Sequence, residues 1–179
     1  MSLGDSKTPV VVPVWQAALV ELLRVNAGVR FTFYSGGVAG STVATAASSI
    51  GAILAAAPAT GVEEVLCNWG ANDAGALPAE ATWKANYTTI LDAINARWPA
   101  AKVRLTKPWR RGYAAACDSM ATWLDAVVAA RSAFAYVADD ERGWLENGDD
   151  GVTRTTDGVH YNSVGNTVKA AQMRTAMGF

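Results

Sequence analysis

The chain has 179 residues, of which 51% are apolar and 17% are charged, and its formal net charge is −1. This length suits a single domain over residues 1–179 with one hydrophobic core, and it leaves no room for a separate substrate domain. The net charge is too small for the basic surface that is typical of a nucleic-acid-binding protein. The longest apolar tract, Ile50 to Ala59, is shorter than the roughly 20 residues that a membrane span requires.

Helical and strand-like segments alternate through the first half of the chain. The segment from Val14 to Val25 has apolar residues at helical spacing, whereas Val29 to Tyr34 alternates in the manner of a strand. A glycine-rich loop from Ser35 to Gly40 leads into an alanine-rich helix predicted over Thr42 to Ala57. Val62 to Asn68 is typical of a buried strand.

The second half continues this alternation. Three further helices are predicted, at Trp83 to Trp98, Ala114 to Arg131 and Ser163 to Met177. Two strands are predicted between them, at Lys102 to Thr106 and Ala133 to Ala138. Ser163 is a plausible N-cap of the last helix. The acidic segment from Asp139 to Thr156 lacks the ligand spacing of a calcium loop and is expected to be solvated.

Strands that alternate with helices of this length predict βαβ units, and hence a mostly parallel sheet of about five strands covered by helices on both faces. Right-handed crossovers give a flavodoxin-like, three-layer α/β/α fold. Sites in such sheets form at the carboxyl ends of the strands. The residues that directly follow each strand are therefore the candidates for function.

Four short blocks follow predicted strands, and each supplies a different chemical group. Gly4 to Ser6 supplies a hydroxyl, and the glycine loop that ends at Gly40 supplies a backbone N–H. Gly70 to Asp73 supplies the carboxamide of Asn72. Asp157 to His160 supplies a carboxylate and the only imidazole of the chain. Together these groups are the parts required for acyl transfer through a serine nucleophile.

The chemistry explains the need for each group. A serine hydroxyl becomes a useful nucleophile when a base takes its proton, and imidazole suits that task near neutral pH. A carboxylate such as Asp157 fixes the imidazole tautomer and stabilises its charged form. The negatively charged oxygen of the tetrahedral intermediate needs donors, which the Ser6 and Gly40 N–H groups and the Asn72 amide can provide. Gly36 and Gly37 are alternatives to Gly40, which is preferred because it leads directly into a helix N-terminus.

In this order, the four blocks resemble those of the SGNH hydrolases, also called the GDSL esterase and lipase family. The resemblance covers nearly the whole chain. It implies that Ser6 is the nucleophile, that Asp157 and His160 complete the catalytic triad, and that Ser6, Gly40 and Asn72 form the oxyanion hole. It also implies a hydrolase that cleaves esters of small acyl groups on carbohydrates, lipids or aryl alcohols, without a metal or an organic cofactor.

Two other functions were weighed. The first is a catalytically silent carbohydrate- or ligand-binding member of the same fold, and retention of Ser6, Asp157 and His160 argues against it. The second is a flavodoxin-like nucleotide or flavin binder, but Ser35 to Ser41 lacks both the dinucleotide pattern and a phosphate-loop lysine.

The remaining expectations concern aromatic residues, cysteines and location. Tryptophans at strand ends or in the acidic loop are candidates for lining an acyl or sugar pocket, namely Trp69, Trp109 and Trp144. Cys67 and Cys117 have no metal-ligand spacing, and no disulfide is expected. The first residues show no signal peptide, so a soluble protein is expected, cytoplasmic or secreted with its signal removed.

Overall fold

The computed structural model describes residues 1–8, 14–27, 33–146 and 151–179. Five strands form one sheet in the order β2-β1-β3-β4-β5, and every neighbouring pair is parallel. The strands are β1 (Ser2–Gly4), β2 (Ser35–Gly37), β3 (Glu64–Asn68), β4 (Lys102–Lys107) and β5 (Ala135–Asp140). The predicted parallel α/β sheet is confirmed.

Helices cover both faces of the sheet. They are α1 (Val14–Ala27), α2 (Val43–Ala55), α3 (Glu80–Arg97), α4 (Ala114–Ala129), α5 (Glu141–Leu145) and α6 (Ser163–Ala176), and a short 3-10 helix spans Asp73–Ala76. Helices α2, α3 and α4 bury their apolar residues in the larger core cluster, whereas α1 and α6 pack together on the opposite face. This is the three-layer arrangement that the alternation of elements predicts.

Strand β3 shows how the sequence produces these layers. Val65 and Cys67 belong to the larger core cluster, whereas the side chain between them, Leu66, packs against α1 and α6. Successive side chains of a strand point to opposite faces, so a strand covered by helices on both sides must be apolar at every position. That requirement explains the continuous apolar run in β3.

Most of the strand predicted at Val29 to Tyr34 cannot be compared with the structure. Residues 29–32 lie outside the described residues, and the strand that pairs with β1 is Ser35–Gly37, which was expected to be part of a loop. Glycine is required at this place because a Cβ atom on Gly37 would lie 1.3 Å from the carbonyl oxygen of Thr8. Close approach of two backbones, rather than a turn, accounts for Gly37.

Two local predictions at the end of the chain also differ from the structure. The N-cap of α6 is Asn162, whose side chain accepts a hydrogen bond from the Gly165 N–H at 3.0 Å, and Ser163 is the first helical residue. The acidic segment is not one continuous loop, because it begins with the end of β5 and contains α5.

No helix among the described residues is both long enough and apolar enough to cross a membrane.

Candidate active site

Three side chains from the two ends of the chain meet at the carboxyl edge of the sheet. The Oγ atom of Ser6, just after β1, lies 2.8 Å from Nε2 of His160. Nδ1 of His160 lies 2.6 Å from Oδ2 of Asp157. Because an ionised carboxylate only accepts, Nδ1 carries the proton, and Nε2 is left to accept the serine hydroxyl proton. The structure thus brings together the residues predicted to be nucleophile, base and acid.

The turn from Asp157 to His160 holds the carboxylate in place. Oδ1 of Asp157 accepts hydrogen bonds from the backbone N–H groups of Val159 and His160, at 2.9 and 2.8 Å. Burial alone would raise the pKa of Asp157, but these hydrogen bonds and the one from the His160 ring outweigh it and lower the pKa to about 2. The carboxylate is therefore ionised wherever imidazole is active as a base.

Gly158 is essential to the shape of this turn. Its φ of +83° lies in the left-handed region, and a Cβ atom there would lie 2.7 Å from Cβ of Arg111. The Gly158 carbonyl accepts a hydrogen bond from the Arg111 N–H at 3.0 Å, and its N–H donates to Oγ1 of Thr155 at 3.0 Å. A glycine is thus required both by the backbone conformation and by the contact with the β4–α4 loop.

The predicted oxyanion-hole donors lie on three separate loops. Within the described residues, the backbone N–H groups of Ser6 and Gly40 make no hydrogen bond. One amide hydrogen of Asn72 Nδ2 is directed to the carbonyl of Ser41 at 3.1 Å, which leaves the second for another acceptor. Gly36 and Gly37, the alternatives to Gly40, lie inside β2 rather than beyond its end.

Two buried side chains fix the glycine loop against the Asn72 block. Oδ2 of Asp73 accepts the Val43 N–H at the start of α2 at 3.0 Å, and Nε1 of Trp69 donates to Oγ of Ser41 at 3.1 Å. Burial raises the pKa of Asp73 to about 6, against the effect of the N–H bonds that it accepts. The loops of Gly40 and Asn72 are therefore connected by direct contacts.

Comparison with known proteins identifies the family of the chain. The sequence model of the GDSL-like lipase/acylhydrolase family matches residues 2–168. The chain belongs to this family. No curated protein sequence is significantly similar to it.

Solved structures similar to this GDSL-like family member share its fold at low sequence identity. A carbohydrate esterase family 3 protein from Talaromyces cellulolyticus is 22% identical with a TM-score of 0.78, and the alignment covers 99% of this chain and 94% of that one. A lipase/acylhydrolase from Enterococcus faecalis is 21% identical with a TM-score of 0.79, covering 98% and 93%. An acetylxylan esterase from Geobacillus stearothermophilus is 16% identical with a TM-score of 0.78, covering 99% and 93%.

The predicted pocket tryptophans of this GDSL-like protein do not line an open site. Trp69, Trp109 and Trp144 are only 0%, 1% and 7% exposed, and each indole N–H is hydrogen-bonded within the protein. A buried indole presents no face to a ligand, so the expected role in binding an acyl or sugar group does not fit. The three rings instead pack the strand ends and loops that carry the site.

The acidic run that begins at Asp139 was expected to be solvated, and this is wrong for two of its residues. Asp139 and Glu141 are 5% and 0% exposed and pair with the buried lysines Lys7 and Lys169. Sequence reasoning missed both lysines. A signal existed for Lys169, because it lies at helical spacing on the apolar face of α6, one turn before Met173. Asp149 and Asp150, also in the acidic run, lie outside the described residues.

Proposed function

We propose that this member of the GDSL-like family is a serine esterase that hydrolyses small acyl esters, acetyl or short-chain, through an acyl-serine intermediate. One observation carries the proposal, namely the unbroken hydrogen-bond chain from Ser6 Oγ through His160 to Asp157. A hydroxyl in contact with a base, which is itself oriented by a carboxylate, is the arrangement that acyl transfer through serine requires.

The proposed reaction proceeds in two halves. Nε2 of His160 takes the hydroxyl proton as Ser6 Oγ attacks the ester carbonyl carbon, and Asp157 stabilises the imidazolium. The proton then passes to the leaving alcohol oxygen as the C–O bond breaks, and the acyl group remains on the serine. Water that gives its proton to His160 next attacks the acyl carbon, and Ser6 regains that proton as the acid departs.

The oxyanion of each tetrahedral intermediate is assigned to three donors. These are the backbone N–H groups of Ser6 and Gly40 and the second amide hydrogen of Asn72. Support comes from the lack of other acceptors for these N–H groups among the described residues, and from the contacts that fix the loops of Gly40 and Asn72. Donors held in place before the reaction stabilise the developing charge without a cost of reorganisation.

The exposure of the proposed base and acid supports a large alcohol as the leaving group. The side chains of His160 and Asp157 are 47% and 52% exposed, which leaves room for a bulky leaving group. The tryptophans expected to line an acyl or sugar pocket are buried in the protein and favour neither kind of substrate. Two of the structurally similar proteins are named as a carbohydrate esterase and an acetylxylan esterase. Acetylated carbohydrate is therefore the substrate class that we propose to test first.

The test is hydrolysis of p-nitrophenyl acetate by the parent protein, Ser6→Ala and His160→Ala over roughly pH 5 to 9. We expect the parent to turn over and each substitution to lower kcat by at least about 1,000-fold. Ser163→Ala, at an exposed serine in the first turn of α6, is the matched control and should leave kcat unchanged.

The pH profile adds a second criterion. The parent rate should fall toward acid because a protonated imidazole cannot accept the serine proton. Asp157, with its pKa of about 2, stays ionised over this range and adds no further slope. An inactive parent, or His160→Ala with the parent's rate, would disprove the esterase and favour the silent binding member. An active parent is next compared on acetylated xylo-oligosaccharides and p-nitrophenyl butyrate.

A further inference from the structure

A cluster of four buried charged side chains lies under the loops that carry Ser6 and His160. Lys7 and Lys169 supply two positive charges, and Asp139 and Glu141 supply two negative charges. All four are at most 5% exposed. Glu141 connects the two lysines, because its carboxylate lies 2.5 Å from Lys7 Nζ and 3.3 Å from Lys169 Nζ. The cluster is neutral as a whole.

Stability alone is a poor explanation for this cluster. Removing two opposite charges from water costs several kcal/mol per ion, and apolar residues of similar volume often stabilise a fold equally well. Burial alone would raise the pKa of Glu141, but Lys7 and Lys169 outweigh it and lower that pKa, so the charged form is the one held in the protein. The location of these charges in the fold therefore indicates their role better than their number does.

The cluster reaches both reacting loops through their immediate chain neighbours. Lys7 follows Ser6, and its Nζ donates to Glu141 and to the Trp109 carbonyl, the latter at 2.7 Å. Tyr161 follows His160, and its hydroxyl donates to the same Glu141 carboxylate. Lys7 Nζ also lies 5.4 Å from the centre of the Tyr161 ring. One carboxylate thus contacts the residue after the proposed nucleophile and the residue after the proposed base.

The two loops need such a connection. Among the described residues, the only hydrogen bond between residues 5–8 and residues 157–161 is the one between Ser6 Oγ and His160 Nε2. The side chain of His160 is nearly half exposed, so packing does not hold it. Asn68, at the end of β3, donates to both Glu141 and Tyr161 at 3.2 Å and so fixes the connection to the sheet.

We propose that the link of Lys7, Glu141 and Tyr161 is a positioning device that sets the approach of Ser6 Oγ to His160 Nε2. These residues touch neither the ester nor the reacting atoms, and they act through the loops that carry them. The inference rests on the proposed esterase function. It predicts that cutting the link lowers kcat and leaves KM nearly unchanged, because it misaligns the nucleophile and base without altering the groups that contact substrate.

The test compares two charge-neutral double variants of the full chain. Lys7→Met with Glu141→Gln cuts the link and leaves the pair of Lys169 and Asp139 intact. Lys169→Met with Asp139→Asn is the matched control, because it removes the Lys169–Asp139 pair and the longer Lys169–Glu141 contact but keeps the contacts of Glu141 with Lys7 and Tyr161. With p-nitrophenyl acetate, we expect the first to lower kcat by about 10- to 100-fold with KM within about twofold, and the second to keep kcat within about twofold.

A third variant guards against misfolding of the first. Tyr161→Phe keeps the ring and removes only the hydroxyl contacts with Glu141 and Asn68. We expect its kcat to fall by about 3- to 10-fold, the range that the loss of a single hydrogen bond gives. If the first double variant does not fold, as judged by circular dichroism, an unchanged kcat in Tyr161→Phe overturns the proposal.

Nitrogen NMR provides a readout that needs no substrate. His160 is the only histidine, so its ring ¹⁵N signals come from one residue, and only Nδ1 and Nε2 have to be distinguished. In the first double variant the Nε2 signal should move to its position in Ser6→Ala, whereas the Nδ1 signal, set by Asp157 in the same turn, should not move. A purely structural role for the cluster would leave Nε2 unchanged.

The outcomes distinguish failure of the proposed esterase function from failure of the proposed link. A parent no faster than Ser6→Ala overturns the proposed esterase, and the Nε2 signal then decides on the link by itself. An active parent with equal loss of kcat in both double variants, or with kcat retained in the first, overturns the link alone.

Discussion

At the scale of single residues, loss of the Asn72 side-chain amide is expected to have a large effect on kcat. One of its hydrogens is held by the Ser41 carbonyl, and the other is assigned to the oxyanion. We expect Asn72→Ala to lower kcat by roughly 100- to 1,000-fold while KM changes little, because the lost hydrogen bond is strongest in the transition state. Steady-state kinetics with p-nitrophenyl acetate measures this, and thermal unfolding checks that the fold is retained. A loss of only a few fold would contradict the assignment.

Sequence reasoning does not find charged residues of a common type that are buried in the fold. The proposed reacting groups were predictable because their types, order and positions after strands agree with a single reaction. Lys7 and Glu141 carried no such signal, since lysine and glutamate are almost always exposed and nothing in the spacing of these two suggests a pair. Their burial depends on contacts between segments that are 134 residues apart.

At the scale of the element, the turn between Asp157 and His160 offers a test of geometry separate from chemistry. Gly158→Ala introduces a side chain at a φ of +83° and in contact with Arg111. The left-handed conformation alone costs about 1–2 kcal/mol for a residue with a Cβ atom. We expect the variant to lose stability by at least this amount and to lose most esterase activity, because the turn carries both the acid and the base.

Gly61→Ala is the control for that prediction. Gly61 has nearly the same φ, +78°, but a Cβ atom there has open space around it, and the residue precedes β3 at the opposite edge of the sheet. Chemical denaturation should give a similar loss from backbone strain, and the assay should show full activity. Equal activity in the two variants would show that the exact shape of the 157–160 turn is unimportant.

The elements themselves were predictable to different degrees. Helices such as α4 and strands such as β3 are set by local periodicity, and they lie within a few residues of the predicted bounds. Strand β2 is set by its partner, because Gly36 and Gly37 pair with Leu3 and Gly4. Local propensity assigns glycine to loops and cannot detect a strand that exists through close backbone approach.

At the scale of the whole molecule, Asp5 links stability to pH. Burial raises the pKa of Asp5 from 3.8 to about 6, although Lys7 lowers it, and Oδ2 has no hydrogen-bond partner among the described residues. The folded state therefore retains a proton that the unfolded chain has already lost between these values, so this group makes the protein less stable as pH rises from about 4 to 6. The shift of about two pKa units corresponds to roughly 3 kcal/mol.

Replacement of this carboxyl should remove that dependence. In the parent, Oδ1 of Asp5 accepts a hydrogen bond from the Lys7 backbone N–H at 2.9 Å. The amide oxygen of Asp5→Asn can still accept this hydrogen bond. The free energy of unfolding of Asp5→Asn, minus that of the parent, should therefore increase by up to about 3 kcal/mol between roughly pH 4 and 6 and stay constant above. Urea denaturation at several pH values measures this difference. Parallel curves for the two proteins would contradict the raised pKa.

The 154 residues that separate Ser6 from His160 have a consequence for the protein while it is being made. Translation delivers Ser6 well before His160, because the chain emerges at about 5–20 residues per second, and a domain generally folds as a unit. The turn of His160 shortly precedes helix α6, which packs on α1. Under the proposed function, the nascent chain is therefore inert toward esters until His160 and the helix that follows it have been synthesised, and hydrolytic activity begins in a single step.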